Sequence, residues 1–323
     1  MSLKVGIVGA AGYAGAELIR LVLGHPEFEL VAITSNADAG QPLSAVYPSF
    51  AGVSDLVFTT HDAPELKSCD AVFLAVPHTA AMAQVPALLA SGVSCFDLSA
   101  DYRLNDASVF ETWYAAEHTS PELLKTRAFG LPELFCRDLE TAASDHADGK
   151  PVLVACAGCY PTATSLAAAP AVRAGWVAQS GPVIVDAISG VTGAGKSCNA
   201  RTHFCSADEN LEAYGVGKHR HTPEIEQILG LTDRVVFTPH LAPLKRGLLS
   251  TVTLPLTPQA IDSLALEDVV DYYKQFYAGR TFVRVLDAGQ QPKTASVVGT
   301  NAAQIGLAFN KRAGVLVATG AID

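Results

Sequence analysis

Short apolar runs alternate with amphipathic segments through the first half of the chain. The runs predicted as strands cover residues 3–8, 30–34, 71–76, 93–98 and 151–156. Between them, apolar residues recur at helical spacing over 12–24 and 79–91. Because continuous apolar strands are typical of parallel sheets covered on both faces, this alternation predicts an α/β fold built on a parallel sheet.

The second half has a different pattern, in which β-branched residues alternate with others and few helices separate the later strands. Strands are predicted at 182–188, 234–238, 248–256, 281–286, 304–310 and 314–319. Helices are predicted at 161–174, 223–229 and 266–278. This pattern favours a second α+β domain with a mixed or antiparallel sheet. A loop at 148–151 separates the halves, and we expect domains over 1–155 and 156–323.

Composition and charge narrow the classes of function. The 323 residues include 49% hydrophobic and 17% charged ones, which excludes a disordered chain and a highly charged coiled coil. The net charge of −10 argues against a nucleic-acid partner, although an anionic small molecule can still bind at a helix N-terminus. No apolar run is long enough to cross a bilayer, and no secretory signal opens the chain. We therefore expect a cytoplasmic protein with seven reduced cysteines and no membrane partner.

A glycine pattern of the form G-x-x-G-x-x-G, made by Gly9, Gly12 and Gly15, lies between the first strand and the first helix. Glycines here let the backbone turn sharply and approach a pyrophosphate, whose charge the helix N-terminus meets. The pattern predicts a dinucleotide-binding domain with a Rossmann-type sheet over residues 1–155. The alternative is a tight turn that binds no ligand.

The end of the second predicted strand bears on the choice of dinucleotide. An NAD site usually carries an acidic residue about 20 residues past the glycines, where it binds the ribose hydroxyls. Here the strand ends in Thr34, Ser35 and Asn36, and the first carboxylate is Asp38. Small hydroxyl side chains leave room for a 2′-phosphate, so the sequence favours NADP(H) over NAD. The alternative is that the two hydroxyls cap a turn.

Cys159 follows a predicted strand and lies just before the helix predicted to begin at Pro161. Unpaired amides at a helix start stabilise a thiolate and an oxyanion on the carbon bonded to it, as a nucleophilic cysteine requires. Three alternatives stay open: a buried packing residue, a redox pair with Cys156, and a zinc site. The further zinc ligands in the sequence, which lack a regular spacing, are Cys198, His203 and Cys205.

A basic cluster over residues 218–221 precedes another predicted helix. Thr222 is predicted as the N-cap of this helix and Pro223 as its first residue, which places His221 in an accessible loop. Histidine is the natural acid–base near neutral pH, but spacing alone does not separate His219 from His221. The alternative is a pair of surface histidines, and the lysine and arginine of the cluster are candidates to hold an anionic substrate.

These motifs, with others along the chain, resemble those of the N-acetyl-gamma-glutamyl-phosphate reductases. The segments that carry the resemblance are 9–15 (GAAGYAG), 75–78 (AVPH), 97–104 (DLSADYRL), 130–133 (GLPE), 158–162 (GCYPT), 189–195 (SGVTGAG), 219–224 (HRHTPE) and 298–301 (VGTN). The resemblance covers essentially the whole chain. It implies a Rossmann domain joined to a catalytic and dimerisation domain of α+β type, as in aspartate-semialdehyde and glyceraldehyde-phosphate dehydrogenases.

The resemblance also implies a reaction and its residues. NADPH would reduce N-acetylglutamyl 5-phosphate to N-acetylglutamate 5-semialdehyde and phosphate in arginine biosynthesis, through a thioester on Cys159. The acid–base would be His221, with His219 as the other candidate. The implied cofactor-binding residues are Gly9, Ala11, Gly12, Tyr13, Ala14, Gly15, Ser35, Pro77, His78 and Asn301. The implied substrate-binding residues are Ser99, Arg103, Ser189, Gly190, Lys196, Arg220 and Glu224. No metal is implied, and the protein would be a homo-oligomer, a dimer or a tetramer.

Two of these assignments have plain alternatives. Arg103 is a candidate anion clamp or an ordinary surface arginine. The glycine-rich loop 189–196 is a candidate to bind phosphate or close round the substrate, or it is a flexible hairpin.

The chain departs from the family pattern at two places. Ala157 stands where the family usually has proline before the Gly-Cys pair. The family usually continues past a segment like 318–323 into a helix that returns to the first domain, and we expect that helix to be missing here. Two other functions stay open: a phosphorylating dehydrogenase for another acyl phosphate, such as aspartyl phosphate, and a non-catalytic NADP-sensing module. Against the first, those enzymes tend to carry Asn-Cys where this chain has Gly-Cys.

Overall fold

The computed structural model describes residues 2–323. The chain forms two compact units, one that ends at Ala157 and one that runs from Gly158 to Asp323. Each unit has its own sheet and its own helices. Within the described residues, no helix is long and apolar enough to span a membrane.

The first unit contains a six-stranded sheet in which every neighbouring pair is parallel. Its strands are β1 (Leu3–Val8), β2 (Phe28–Thr34), β3 (Ala71–Leu74), β4 (Ser94–Asp97), β5 (Ala128–Gly130) and β6 (Leu153–Cys156). Its helices are α1 (Tyr13–Leu23), α2 (Leu43–Val46), α3 (Val85–Ala90), α4 (Ala107–Tyr114) and α5 (Cys136–Ala147). This confirms the predicted parallel sheet.

The order of the strands, β2-β1-β3-β4-β6-β5, shows where a ligand can enter this sheet. The chain leaves β1 toward β2 on one side and later returns to β3 on the other. Such a switch in direction opens a crevice at the carboxyl ends of the strands. Ile7 and Val8, which are neighbours in β1, belong to different hydrophobic clusters, so both faces of the sheet are covered.

The second unit has a seven-stranded mixed sheet with the order β11-β12-β13-β10-β7-β9-β8. Its strands are β7 (Val183–Gly190), β8 (Glu212–Ala213), β9 (Val235–Ala242), β10 (Leu248–Pro255), β11 (Val283–Val285), β12 (Ala303–Asn310) and β13 (Val315–Ile322). The pairs β7–β9 and β11–β12 are parallel and the others antiparallel. This confirms the predicted mixed sheet.

The helices of the second unit are α6 (Cys159–Arg173), α7 (Phe204–Ala207), α8 (Thr222–Leu229), α9 (Pro258–Ser263) and α10 (Leu266–Phe276). Helix α6 packs on β10 and β13, and almost all of it is buried. Gly320 of β13 permits this close approach, because a Cβ there would lie 2.5 Å from the carbonyl oxygen of Ala163. The absence of a side chain at Gly320 therefore lets the helix that begins with Cys159 pack directly against its sheet.

The prediction of one helix over 79–91 was wrong. Thr79 has a φ of 74°, and its N–H donates to Asp101 Oδ1, so it belongs to a turn. A short 3-10 turn follows, and α3 itself begins only at Val85. Helix α4 was not predicted, although Asp106 caps it by accepting from the backbone N–H of Ser108.

The prediction that a strand ends at Thr238 was also wrong, since β9 runs on to Ala242 through Pro239. The carbonyl of Pro239 accepts from the N–H of Tyr214. The nitrogen and the carbonyl of a strand residue point to the same side of the strand. The Pro239 nitrogen therefore also points away from β7, and its missing N–H costs no hydrogen bond between β7 and β9.

Candidate cofactor and catalytic sites

The glycine loop of the first unit contains two glycines that the fold itself requires. Gly9 has a φ of 79°, and a Cβ there would lie 2.3 Å from the carbonyl oxygen of Ala75. A Cβ on Gly15 would lie 2.5 Å from the carbonyl oxygen of Gly9. The Tyr47 hydroxyl donates to the carbonyl of Ala11 at 2.7 Å and fixes the loop from outside.

Gly12 is different, because the protein's own packing does not require it. Its φ of −79° suits any residue, and a Cβ at this position would lie 3.5 Å from its nearest neighbour, an ordinary contact. Gly12 is the N-cap of α1, so the first amides of the helix, from Tyr13 and Ala14, begin beside it. A side chain would cover these amides, whereas a glycine leaves them open to a pyrophosphate. The loop therefore fits a dinucleotide.

At the end of β2 the hydroxyl side chains have protein partners. Thr34 Oγ1 and His61 Nδ1 are 2.7 Å apart, and the backbone N–H of His61 donates to Asn36 Oδ1 at 2.9 Å. The Ser35 hydroxyl donates to Asp38 Oδ2 at 2.7 Å. The fold thus places the Asp38 carboxylate against Ser35, and it adds His61, which the sequence analysis had not singled out.

At the ends of β3 and β4, a buried network surrounds two of the predicted site residues. His78 Nδ1 accepts from the N–H of Ala100 at 3.1 Å, while Pro77 beside it is exposed. The Ser99 hydroxyl donates to Asp97 Oδ2 at 2.9 Å. Burial raises the pKa of Asp97 to about 6, although the Ser99 hydrogen bonds and the Arg103 charge act in the other direction.

Arg103 is only 6% exposed, which overturns the alternative that it is an ordinary surface arginine. Its Nε donates to the carbonyl of Cys156 at 2.8 Å, and its Nη2 donates to the carbonyl of Leu98 at 2.6 Å. These bonds hold the chain at Cys156, just before the end of the first unit. Its assignment as an anion clamp stays a prediction.

Cys159 is exposed and is the first residue of α6, with Gly158 as the N-cap. The helix begins two residues before the predicted start at Pro161, so the sulfur lies at the positive end of the helix dipole. This position stabilises a thiolate. The backbone N–H of Gly158 donates to Glu224 Oε1 at 2.8 Å. Glu224, only 1% exposed, lies in the first turn of α8, so it joins the start of one helix to the start of the other.

His219 lies in an aromatic cluster. Its ring meets four others at centroid distances of 5.0–5.8 Å, those of Tyr160, Tyr214, His221 and Phe237. Burial lowers the pKa of His219 to about 4, and the positive charge of Arg220 acts in the same direction. Its Nδ1 accepts from the backbone N–H of His221 at 3.2 Å, so the neutral ring carries its proton on Nε2. His219 is therefore a neutral hydrogen-bond donor through Nε2.

His221 itself is the N-cap of α8, and Thr222 is the first helical residue. The prediction of Thr222 as the N-cap was therefore wrong, and no side-chain hydrogen bond caps this helix. His221 does lie in a turn just before α8, as predicted, but it is half-buried, and its ring lies 5.9 Å from that of Tyr160. Tyr160, which follows Cys159 in the sequence, thus contacts both His219 and His221.

Two tyrosines that were not predicted from the sequence complete this cluster. The Tyr214 hydroxyl donates to that of Tyr160 at 3.2 Å, and the Tyr160 hydroxyl donates to the carbonyl of His240 at 3.2 Å. Burial raises the pKa of both tyrosines, so they stay neutral. Adjacency to Cys159 was a signal for Tyr160, but no sequence feature pointed to Tyr214.

The other predicted substrate residues lie in the second unit. Ser189 and Gly190 end β7, and a Cβ on Gly190 would lie 2.8 Å from the carbonyl oxygen of Leu244. A 3-10 turn, Val191–Ala194, follows them. The predicted residues that are exposed on this unit are Lys196, Arg220 and Asn301.

One other cysteine, Cys136, also begins a helix, α5, so the contact of the next residue, Tyr160, with both histidines is what distinguishes Cys159. All seven are free thiols. Burial raises the pKa of Cys156 to about 12, and the Asp97 carboxylate adds to this, so Cys156 stays protonated near neutral pH. Cys198, His203 and Cys205 are exposed, and no group of three or more potential metal ligands is present within residues 2–323.

Both parts of the chain are similar to known protein families. Residues 4–142 match the sequence model of the semialdehyde dehydrogenase NAD binding domain. Residues 159–323 match that of the semialdehyde dehydrogenase dimerisation domain. The chain therefore belongs to the semialdehyde dehydrogenase family.

Within this family, the chain is similar over its full length to proteins named N-acetyl-gamma-glutamyl-phosphate reductase. It is 44% identical to the one from Symbiobacterium thermophilum, over 100% of this chain and 90% of that protein. It is 45% identical to the one from Syntrophobacter fumaroxidans, over 99% of this chain and 90% of that protein.

Solved structures show the same fold at low sequence identity. The aspartate semialdehyde dehydrogenase of Candida albicans, solved with NADP, has a TM-score of 0.72 and 15% identity, over 100% of this chain and 94% of that one. A probable aspartate-semialdehyde dehydrogenase from Pseudomonas aeruginosa has a TM-score of 0.70 and 17% identity, over 100% and 93%.

Proposed function

We propose that the protein reduces N-acetylglutamyl 5-phosphate to N-acetylglutamate 5-semialdehyde with release of phosphate, using NADPH, as a cytoplasmic step of arginine biosynthesis. The names of the relatives at 44% and 45% identity support the substrate. The observation that carries the chemistry is Cys159 at the start of α6, with the adjacent Tyr160 in contact with both His219 and His221.

The reaction begins at Cys159. Its thiolate attacks the acyl carbon, a C–S bond forms, the C–O bond to phosphate breaks, and a thioester results. The first amides of α6 and the Nε2–H of His219 are suited to stabilise negative charge on the carbonyl oxygen during this step. Because His219 is neutral, it donates this hydrogen bond without giving up a proton.

The second stage reduces the thioester. NADPH, held at the loop of Gly9, Gly12 and Gly15, would supply the hydride that converts the thioester to a hemithioacetal. His221 gives a proton to the hemithioacetal oxygen and takes it back as the C–S bond breaks, which releases the aldehyde and restores the thiolate. This route replaces one difficult step by two easier ones.

The two units take separate parts in this proposal. The first holds the dinucleotide, with Gly9, Gly12 and Gly15 around the pyrophosphate and Ser35 near the adenosine ribose. The second carries the catalytic residues and pairs two copies of the chain, in line with the dimerisation domain that it matches. Ser99, Arg103, Ser189, Arg220 and Glu224 stay predictions as substrate contacts.

An assay in the reverse direction tests the substrate. With NADP⁺ and phosphate, we expect N-acetylglutamate 5-semialdehyde to be oxidised at least about a hundredfold more efficiently, in kcat/KM, than aspartate semialdehyde. Equal or faster turnover of the aspartyl compound would assign the protein to the other reaction. Binding of NADPH with no turnover of either compound would favour the sensing module.

A further inference from the structure

A cavity of about 590 Å³ lies within the first unit, and none of the site residues described above lines it. It opens between α5 and a 3-10 helix at Pro121–Lys125, and its wall includes Ala128 and Leu153, the first residues of β5 and β6. Because these two strands are parallel, both residues lie at the amino edge of the sheet. Doubly wound sheets bind their dinucleotides at the opposite, carboxyl edge, so this amino-edge cavity is separate from the cofactor site.

Five charged side chains line the amino-edge cavity: Lys125, Arg127, Asp138, Asp145 and Lys150. Lys150 Nζ lies 2.8 Å from Asp145 Oδ1, so these two charges compensate each other. Lys125 and Asp138 are exposed and form no ion pair within residues 2–323. Three cations against two carboxylates make the lining positive in a chain whose net charge is −10. The charges therefore fit a small anion that also carries one positive group.

The uncharged part of the lining narrows the kind of anion. Its apolar side chains include Leu89, Leu123, Leu124 and Val152, which offer contacts to methylene groups. Among the described residues that line the cavity, no side chain is aromatic, so nothing there stacks on a nucleobase. An aliphatic ligand with charged ends suits this lining better than a nucleotide does.

Arg127 connects the amino-edge cavity to the opposite edge of the sheet. Its Nε donates to the carbonyl of Tyr102, and its Nη2 donates to the carbonyl of Arg103 at 3.0 Å. The Arg103 guanidinium in turn donates to the carbonyls of Leu98 and Cys156, at the carboxyl ends of β4 and β6. A ligand that draws on the Arg127 guanidinium therefore acts on the segment that positions Arg103.

We infer that the amino-edge cavity binds an α-amino acid with a second carboxylate, of the glutamate or aspartate class, and that this ligand weakens the binding of substrate. The ligand's ammonium pairs with Asp138, and its carboxylates pair with Lys125 and Arg127. A carboxylate at Arg127 competes with the carbonyls of Tyr102 and Arg103 for the same guanidinium, which loosens Arg103. The effect on substrate rests on the proposed function, whereas the binding of the amino acid does not.

Calorimetric titration of the full chain tests the binding, with L-glutamate, glutarate, which lacks the ammonium, and L-glutamine, which lacks the second carboxylate. Wild type should bind L-glutamate about tenfold more tightly than either analogue. Lys125→Gln should weaken L-glutamate about tenfold, and Asp138→Asn should remove the preference over glutarate. Arg137→Gln and Glu140→Gln are the matched controls, because both residues lie on α5 outside the cavity, and we expect no change.

Kinetics in the reverse direction, with NADP⁺ and phosphate, test the effect on substrate. Saturating L-glutamate should raise the KM for N-acetylglutamate 5-semialdehyde about fivefold and leave kcat within about twofold. Lys125→Gln should raise the L-glutamate concentration needed for half of this effect about tenfold. Because L-glutamate also resembles the substrate, inhibition that Lys125→Gln leaves unchanged would place it at the catalytic site and overturn the inference.

Two further results would also overturn it. One is no binding of L-glutamate to wild type at about 10 mM, and the other is binding through Lys125 and Asp138 that leaves KM unchanged. In both cases the proposed function stands. If the protein does not turn over N-acetylglutamate 5-semialdehyde at all, the proposed function is wrong, and the titrations still decide whether the amino-edge cavity binds the amino acid.

Discussion

The two units build their sites in opposite ways. The glycine loop of the first unit is a local device, since seven consecutive residues, 9–15, contain the turn, the N-cap and the start of α1. The cluster around Cys159 draws on α6, α8, β9 and the chain near Tyr214. A site formed by consecutive residues can be recognised as a sequence motif, whereas a site assembled from separate elements can be located only in the folded structure.

Burial also shifts pKa values in opposite directions in the two units. In the first it raises the pKa of a carboxyl, that of Asp97, and in the second it lowers the pKa of an imidazole, that of His219. In both cases the neutral form is favoured. The consequence is a neutral donor in the cluster around Cys159 and, hydrogen-bonded to Ser99, an Asp97 carboxyl with a pKa of about 6.

The variant with the largest expected effect should lose the chemistry proposed for the second unit and keep the cofactor binding proposed for the first. Cys159→Ser should lower turnover at least about a thousandfold, because a serine hydroxyl at a helix start is not ionised as a thiolate is. NADPH binding by calorimetry should stay within about twofold of wild type. Cys156→Ser is the control and should keep activity, and a comparable loss there would favour the redox pair instead.

A second variant tests whether Glu224 positions Cys159 or binds substrate. Glu224→Ala leaves the Gly158 N–H without its acceptor, and we expect kcat to fall about tenfold or more. Glu224→Gln keeps an acceptor oxygen and should restore most of kcat with little change in KM. A normal kcat with a raised KM in Glu224→Gln would show instead that the carboxylate binds substrate.

Two substitutions in the glycine loop distinguish a glycine that the fold requires from one that cofactor binding requires. Gly9→Ala should destabilise the first unit by about 3 kcal/mol, because of its positive φ and the clash with Ala75. Gly12→Ala should cost less than about 0.5 kcal/mol and yet weaken NADPH binding about tenfold. Urea unfolding and calorimetry measure the two quantities, and a Gly12→Ala variant that binds NADPH normally would contradict the role given to this loop.

The pH dependence of stability should differ in sign between the units. Asp97 has a folded pKa of about 6, above its ordinary 3.8, so the folded state binds the extra proton between these values and stability falls as pH rises. His219 has a folded pKa of about 4, below 6.5, so the unfolded state binds the extra proton and stability rises with pH.

Each effect should amount to about 1 to 2 kcal/mol between pH 5 and 7.5. Asp97→Asn should remove the fall and His219→Gln the rise, as measured by urea unfolding at the two pH values. Changes of the same sign in the two variants would contradict the opposite effects of burial.

The parallel sheet, the glycine loop, Cys159 at a helix start and the mixed sheet were predictable because each depends on neighbouring residues. The neutral state of His219 was not, since the burial of its ring depends on contacts such as that with Phe237, which belongs to another element, β9. The prediction of a helix over 79–91 was wrong for a related reason, because the N–H of Thr79 donates to the distant Asp101 carboxylate instead of joining a helix. Long-range contacts set both outcomes.

The covalent role of Cys159 is the central claim, and mass spectrometry tests it most directly. The protein is mixed with N-acetylglutamyl 5-phosphate in the absence of NADPH, quenched in acid and digested. We expect an N-acetylglutamyl adduct on the peptide that contains Cys159, lost on addition of NADPH and never formed in Cys159→Ser. Full turnover without such an adduct, or an adduct on another cysteine, would contradict the account.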